Sequence, residues 1–127
     1  LLDGAADDPL ADEPPFDAAL VDVPCSNTGV IARRPEARLG LNAKKLASLT
    51  AIQIRLLRLA ASHVRPGGRL IYSTCSIEPE ENEAIVHAFL ETTTDWTLEL
   101  ERTTLPSCGA RLCDWRDGGF VARLIRR

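Results

Sequence analysis

Apolar and polar positions change their period several times along the 127-residue chain, and each change marks a structural element. The run Phe16-Asp17-Ala18-Ala19-Leu20-Val21-Asp22-Val23 is short, largely apolar and closed by Pro24, which suits a buried strand. Residues 1–15 are rich in Asp, Ala and Pro, with Pro9, Pro14 and Pro15 interrupting any regular element, so they read as a connecting segment. From about Asn42 to Val64 the period becomes helical: Leu46, Leu49, Ile52, Leu56 and Leu59 recur at three- and four-residue steps, while Lys45, Ser48, Arg55 and Arg58 lie off that stripe. Arg65-Pro66-Gly67-Gly68 carries both standard breakers and is expected to end the helix. Arg69 to Cys75 then reads as a second buried strand.

Glu78-Pro79-Glu80-Glu81-Asn82-Glu83 opens a second helix running to about Leu90, with Pro79 suited to a first helical position and the carboxylates to the positive end of the helix dipole. Trp96 to Arg102 alternates as a third strand, and Phe120 to Ile125 forms a fourth behind the Asp117-Gly118-Gly119 turn. The order strand, helix, strand, helix, strand, strand implies an α/β fold: parallel strands with right-handed crossovers, then an antiparallel hairpin. Residues 16–127 are expected to make one domain part.

Composition narrows the picture. Hydrophobic residues are 45% and charged residues 26%, ordinary for a soluble globular domain. No apolar run reaches the ~20 residues that cross a bilayer, and no signal-peptide pattern opens the chain, so a cytoplasmic location is expected. The chain has no Met and opens Leu1-Leu2-Asp3, which suggests a piece of a longer protein. A net charge of -3 argues against general coating of nucleic acid but leaves room for a local RNA site. Arg33, Arg34, Arg38, Lys44 and Lys45 form one basic stretch. Its plainest reading is a solvated helix face. Its functional reading is phosphate contact by Arg33, Arg34, Lys44 and Lys45, which adds affinity without sequence information.

The four cysteines, Cys25, Cys75, Cys108 and Cys113, have no C-x-x-C pair, so neither zinc nor any other metal site is expected. Nothing points to secretion or to a disulfide framework. Cys108 and Cys113 read as buried, inert thiols. Cys25 and Cys75 differ, because each follows directly on a strand. Ligands of open α/β sheets bind beyond the carboxyl ends of the strands. With one crossover helix between the two strands, both thiols face one cleft beside Asp22. An acid and two thiols suit chemistry on a cytosine ring. Thiolate addition at carbon 6 makes carbon 5 nucleophilic, and a carboxyl group at the ring nitrogen stabilises the adduct. Asp22 alone has a blander reading, as a turn cap before Pro24. Glu80 to Glu83 is most simply a helix start, and His63 and His87 receive no role.

Asp22-Val23-Pro24-Cys25-Ser26-Asn27-Thr28-Gly29 resembles the D-x-P-C-S-x-T-G motif of the Sun-type RNA 5-methylcytosine methyltransferases. Arg65 to Ser76 with Pro79-Glu80-Glu81-Asn82-Glu83 is similar to that family's P-G-G…Y-S-T-C-S…P-E-E-N segment. Asp117-Gly118-Gly119-Phe120 resembles its D-G-F-F turn, with Gly119 in place of one aromatic. The resemblance runs from Phe16 to Arg127. It implies the C-terminal half of a class I, Rossmann-like sheet that uses S-adenosylmethionine to methylate cytosine in RNA, ribosomal RNA first. Cys75 matches the nucleophile, Cys25 the thiol that helps release product, Asp22 the acid at the base, and Asp22 with Pro24 the junction of base and cofactor. Cys25 as the attacking thiol is the rival assignment, since the Pro-Cys cysteine attacks in the related DNA enzymes.

A Gly-rich cofactor loop after a strand is missing, as Gly67-Gly68 precedes one instead. The chain by itself is therefore expected to bind S-adenosylmethionine weakly and to lack activity. The strand carrying Asp22 is expected to leave an edge open to self-association. Methylation of DNA cytosine and a non-catalytic RNA-binding or assembly module are the alternative functions.

Overall fold

The computed structural model describes residue 8 and residues 10–127; the earlier part of the expected connecting segment, including Pro9, lies outside the described residues. Strand β1 (Phe16–Asp22), helix α1 (Ala43–Ser62), strand β2 (Val64–Thr74), helix α2 (Glu83–Glu91) and strands β3 (Trp96–Thr104) and β4 (Gly119–Arg126) follow in that order. The four strands form one sheet in the order β1-β2-β4-β3. β1 and β2 are parallel, whereas β4 runs antiparallel to both β2 and β3. This is the α/β arrangement expected, with the terminal hairpin inserting β4 beside β2.

Helix α1 starts where the Asn42 side chain accepts the Lys45 amide at 2.9 Å, an N-cap. Its end precedes the Pro-Gly-Gly breakers. Those residues lie inside β2, because β2 already pairs with β1 at Phe16↔Val64 and again at Ala18↔Arg69. Two steps along β1 therefore match five along β2, a bulge that Gly67 permits with φ of 78°.

Both helices cover the same face of the sheet. Leu70 and Tyr72 of β2 and Phe120, Ala122 and Leu124 of β4 pack there under Leu57 and Ala61 of α1 and Ile85, Val86 and Phe89 of α2. Each large apolar side chain fully buried in this layer contributes about 1.5–3 kcal/mol. The expected α1 stripe needs correction: its fully buried line is Gln53, Leu57 and Ala61, while Leu46, Leu49, Ile52, Leu56 and Leu59 are half-buried. A glutamine holds a core position for reasons that lie in the site.

β1 and β2 are not buried on both sides as their sequences imply. No helix among the described residues covers the second face, where Leu20 is 68% exposed and Ile71 half-buried. Cys108 and Cys113 are also corrected: both are exposed. They sit in the long β3–β4 connection, which has little core beneath it and also exposes Leu112 and Trp115. No helix among the described residues is long and apolar enough to cross a membrane.

Among the described residues β1 pairs on one side only, which leaves a row of backbone donors and acceptors beside an exposed Leu20. Sedimentation should detect concentration-dependent self-association through this edge, abolished by Leu20→Lys. A monomer at all concentrations would remove the edge from consideration.

Candidate active site

Because β1 and β2 are parallel and their register ends at Asp22↔Ser73, both strands deliver their following loops to the same place. The ladder runs one step further, with the Val23 amide donating to the Ser73 carbonyl at 3.2 Å. Pro24 then has no amide to continue it. Beyond that point the loops are laced by backbone bonds around Gly29, whose amide donates to the Cys75 carbonyl at 3.0 Å and whose carbonyl accepts the Gly118 amide at 2.7 Å. A Cβ on Gly29 would lie 2.8 Å from the Cys75 carbonyl oxygen and against the Gly118 backbone. Only glycine allows the three loops this approach. At Gly119, where the family motif has an aromatic, a Cβ would come within 2.7 Å of the Thr74 carbonyl oxygen.

The lacing brings the two expected thiols into contact: Cys25 Sγ and Cys75 Sγ are 3.1 Å apart and both half-buried. Asn27, in the left-handed region at φ 63°, turns its amide back over them. Its Nδ2 donates to the Cys25 carbonyl at 3.2 Å, which leaves Oδ1 to accept from Cys75 Sγ at 3.0 Å. Burial, reinforced by the bond with Cys75, pushes the Cys25 thiol up to about 12. Cys25 is therefore protonated at neutral pH.

Beneath the thiols lies a polar layer. Ser26, Thr28, Gln53, Thr74, Ser76, Glu81 and Asn82 make up the buried polar and charged residues among those described, and they form one cluster. The hydroxyls of Ser26, Thr28 and Ser76 join the two cysteine loops at 3.1 Å from Ser26 to Ser76 and 3.1 Å from Thr28 to Ser76. Glu81 accepts the Ser26 amide at 3.0 Å and its hydroxyl at 2.5 Å. The Tyr72 hydroxyl donates to the Glu81 carbonyl at 2.6 Å, and burial, with the Glu81 charge next, raises its pKa. The Pro79-Glu80-Glu81 turn is thus not the first turn of α2, as the sequence suggests. It is a separate 3-10 turn, and α2 starts after Asn82.

The remaining candidates are less concentrated. Asp22 is exposed at the end of β1, and its Oδ1 accepts the Ser73 hydroxyl at 2.9 Å. Pro24 is exposed, with its carbonyl taken by Gln53 Nε2 at 2.9 Å. Arg33 pairs with Asp117 at 3.1 Å, next to the Gly118 that braces Gly29. Arg34, Lys44 and Lys45 are exposed and make no side-chain bond to the cysteine loops among the described residues. A shallow cleft of about 280 Å³ opens beside Thr74, between Arg102, Asp117, Gly119 and Phe120.

Gln53, Glu81 and Asn82 are the residues that sequence reasoning missed. A lone glutamine between the leucines of α1 was the available signal; nothing in Pro79-Glu80-Glu81-Asn82 distinguishes the buried glutamate from its exposed neighbour.

Strand order and the thiol-bearing loops define an α/β unit of the S-adenosylmethionine-dependent methyltransferase type. A crystal structure titled as a methyltransferase homolog protein from Pyrococcus horikoshii superposes with a TM-score of 0.66 at 26% identity, covering 90% of this chain and 40% of that one. NSun6 from the same organism, solved with SFG, gives 0.63 at 27% identity over 84% of this chain and 29% of its own. The chain belongs to the family described as 16S rRNA methyltransferase RsmB/F, whose model matches residues 2–111. Ribosomal RNA small subunit methyltransferase B of Klebsiella pneumoniae is 40% identical over 116 residues, covering 88% of this chain. The Xanthomonas campestris protein of that name is 46% identical over 84 residues, 66% of this chain and 19% of its own. The chain spans about a quarter of the length of the Klebsiella relative, 26%.

The raised thiol carries its own test. Iodoacetamide labelling of Cys25, followed by peptide mapping, should be slow at neutral pH and still accelerating at about pH 10, above the ~8.5 of a free thiol. A plateau near the free-thiol value would contradict the buried geometry.

Proposed function

We propose that this chain is the thiol-bearing part of an enzyme that methylates carbon 5 of cytosine in ribosomal RNA through a covalent cysteine adduct. The observation that carries this reading is the contact of Cys25 and Cys75, 3.1 Å apart at the carboxyl ends of two parallel strands. The names of the Klebsiella and Xanthomonas relatives favour RNA over DNA as the substrate.

In this mechanism Cys75 Sγ, as thiolate, adds to carbon 6 of the base, and carbon 5 becomes the nucleophile. S-adenosylmethionine supplies the methyl group when bound. Transfer of the carbon 5 proton to a water molecule then restores the double bond as the carbon 6–sulfur bond breaks and Cys75 leaves as thiolate. Burial makes the Cys25 thiol harder to ionise, which disfavours it for the first attack, and its place 3.1 Å from Cys75 lets it assist that last stage. Asp22 presents an exposed carboxyl group at the end of β1, suited to donate a proton to the ring nitrogen as the adduct forms.

Asp22 and the exposed Pro24 fit one wall of a cofactor site, since both stand open at the strand ends beside Cys25. SFG in the Pyrococcus NSun6 structure is an S-adenosylmethionine analogue, which supports that cofactor. Arg33, Arg34, Lys44 and Lys45 supply exposed positive charge for RNA phosphates. The target base must be accessible or flipped out of its stack.

Two experiments test the reading. The chain can replace the matching quarter of the Klebsiella relative in a chimera assayed on ribosomal RNA. There Cys75→Ala should abolish methylation, whereas Cys25→Ala should accumulate a covalent RNA–protein adduct; the reverse pattern would exchange the two roles. Calorimetric titration of the isolated chain with S-adenosylmethionine should give no detectable heat. Clear binding would mean that this chain holds a complete cofactor site.

A further inference from the structure

Glu81 and Asn82 are neighbours in sequence, both are fully buried, and each is bonded to a different cysteine loop. Glu81 accepts the Ser26 amide at 3.0 Å, the Ser26 hydroxyl at 2.5 Å and Gln53 Nε2 at 2.9 Å. The same Gln53 nitrogen donates to the Pro24 carbonyl at 2.9 Å. The residues on either side of Cys25 are thus gripped from below, and Gln53 Oε1 is left without a partner to make this possible. Asn82 does the equivalent for the other loop. Its Oδ1 accepts the Thr74 hydroxyl at 2.6 Å, and its Nδ2 donates to the Ser76 carbonyl at 3.0 Å. Those are the residues on either side of Cys75.

Neither side chain has a bond to a sulfur. A buried carboxylate and a buried amide cost stability unless their bonds are made, and here the bonds go to the cysteine flanks. We infer that Glu81 and Asn82 are a pair of positioning residues, Glu81 with Gln53 setting the place of Cys25 and Asn82 setting that of Cys75. The dipeptide works as a ruler for the sulfur–sulfur distance, because the two grips are joined by a single peptide bond. The inference rests on the reading of Cys75 as nucleophile and Cys25 as the releasing thiol.

The test uses Glu81→Gln and Asn82→Ala in two settings. On the 127-residue chain, iodoacetamide labelling is followed at each cysteine together with the melting temperature. Glu81→Gln should speed labelling of Cys25 about tenfold with Cys75 little changed, and Asn82→Ala should do the reverse, as expected for loss of one or two buried hydrogen bonds. In the Klebsiella chimera, Glu81→Gln should accumulate methylated covalent adduct, whereas Asn82→Ala should lower the rate of adduct formation. Acceleration of both thiols together by either folded variant, or of neither, would overturn the assignment. Should Glu81→Gln prevent folding, Gln53→Leu removes the bonds to the Pro24 carbonyl and to Glu81, neither of which involves the Cys75 loop, and must itself show the Cys25-selective rise; an unselective result would overturn the pairing. A chimera with unaltered Glu81 and Asn82 that forms no adduct would defeat the proposed reaction, and the labelling experiment would still decide the positioning.

Discussion

The structure depends on the parallel pairing of β1 with β2. A parallel pair sends both chains out at the same end, so the Pro24–Gly29 loop and the Cys75–Ile77 segment must share one small volume. Antiparallel pairing of the same strands would place the two cysteines at opposite ends of the sheet. The cost of parallel pairing is a long return, met by α1, whose 20 residues rise about 30 Å and carry the chain back beside the sheet. Every later feature of the site follows from having two loops where the sheet's own hydrogen bonds have run out.

Loops that converge beyond a sheet bring backbone groups that have lost their ladder partners, and such groups are costly to bury unpaired. The polar cluster supplies the missing partners. Below it the core is apolar, with Leu57, Leu70, Val86, Phe89 and Leu124 fully or nearly fully enclosed. At the strand ends the core changes character within one turn of α1, from Leu57 to Gln53. Gln53 donates from one nitrogen to two acceptors, the Pro24 carbonyl and Glu81, which fixes the orientation of its amide. With all but Gln53 Oε1 paired, such a network favours one arrangement over its near neighbours, because any shift leaves a further buried group unpaired.

The order of elements, the hairpin, and the convergence of Cys25 and Cys75 were legible in the sequence, since each rests on period, breakers and topology. Interior detail was less so. Short apolar runs mark Leu20 and Ile71 as core-like, but exposure depends on which faces the helices cover, and both helices take the same one. Pro66-Gly67-Gly68 reads as an end signal, yet a bulge with Gly67 at positive φ absorbs it within β2. The Glu80-Glu81 pair looks like two solvated helix-start carboxylates; Glu81 is buried because the Tyr72 hydroxyl and Ser26 reach it across the sheet end, a contact with no local signature. Cys108 and Cys113 were read from the packing habit of free thiols, which fails in a loop with nothing to pack against.

Contact between the sulfurs also constrains how they can work. Ionising both would set two negative charges 3.1 Å apart, a repulsion of about 5 kcal/mol at an effective dielectric of ~20. Loss of a proton from either sulfur therefore opposes its loss from the other, and burial further raises the Cys25 thiol. Two thiolates side by side are excluded by this geometry. In the proposed reaction, bonding of Cys75 to carbon would remove the charge that a Cys25 thiolate otherwise has to face. On the proposed mechanism, close packing of the two loops would make the two cysteines act in order, which a wider separation would not enforce.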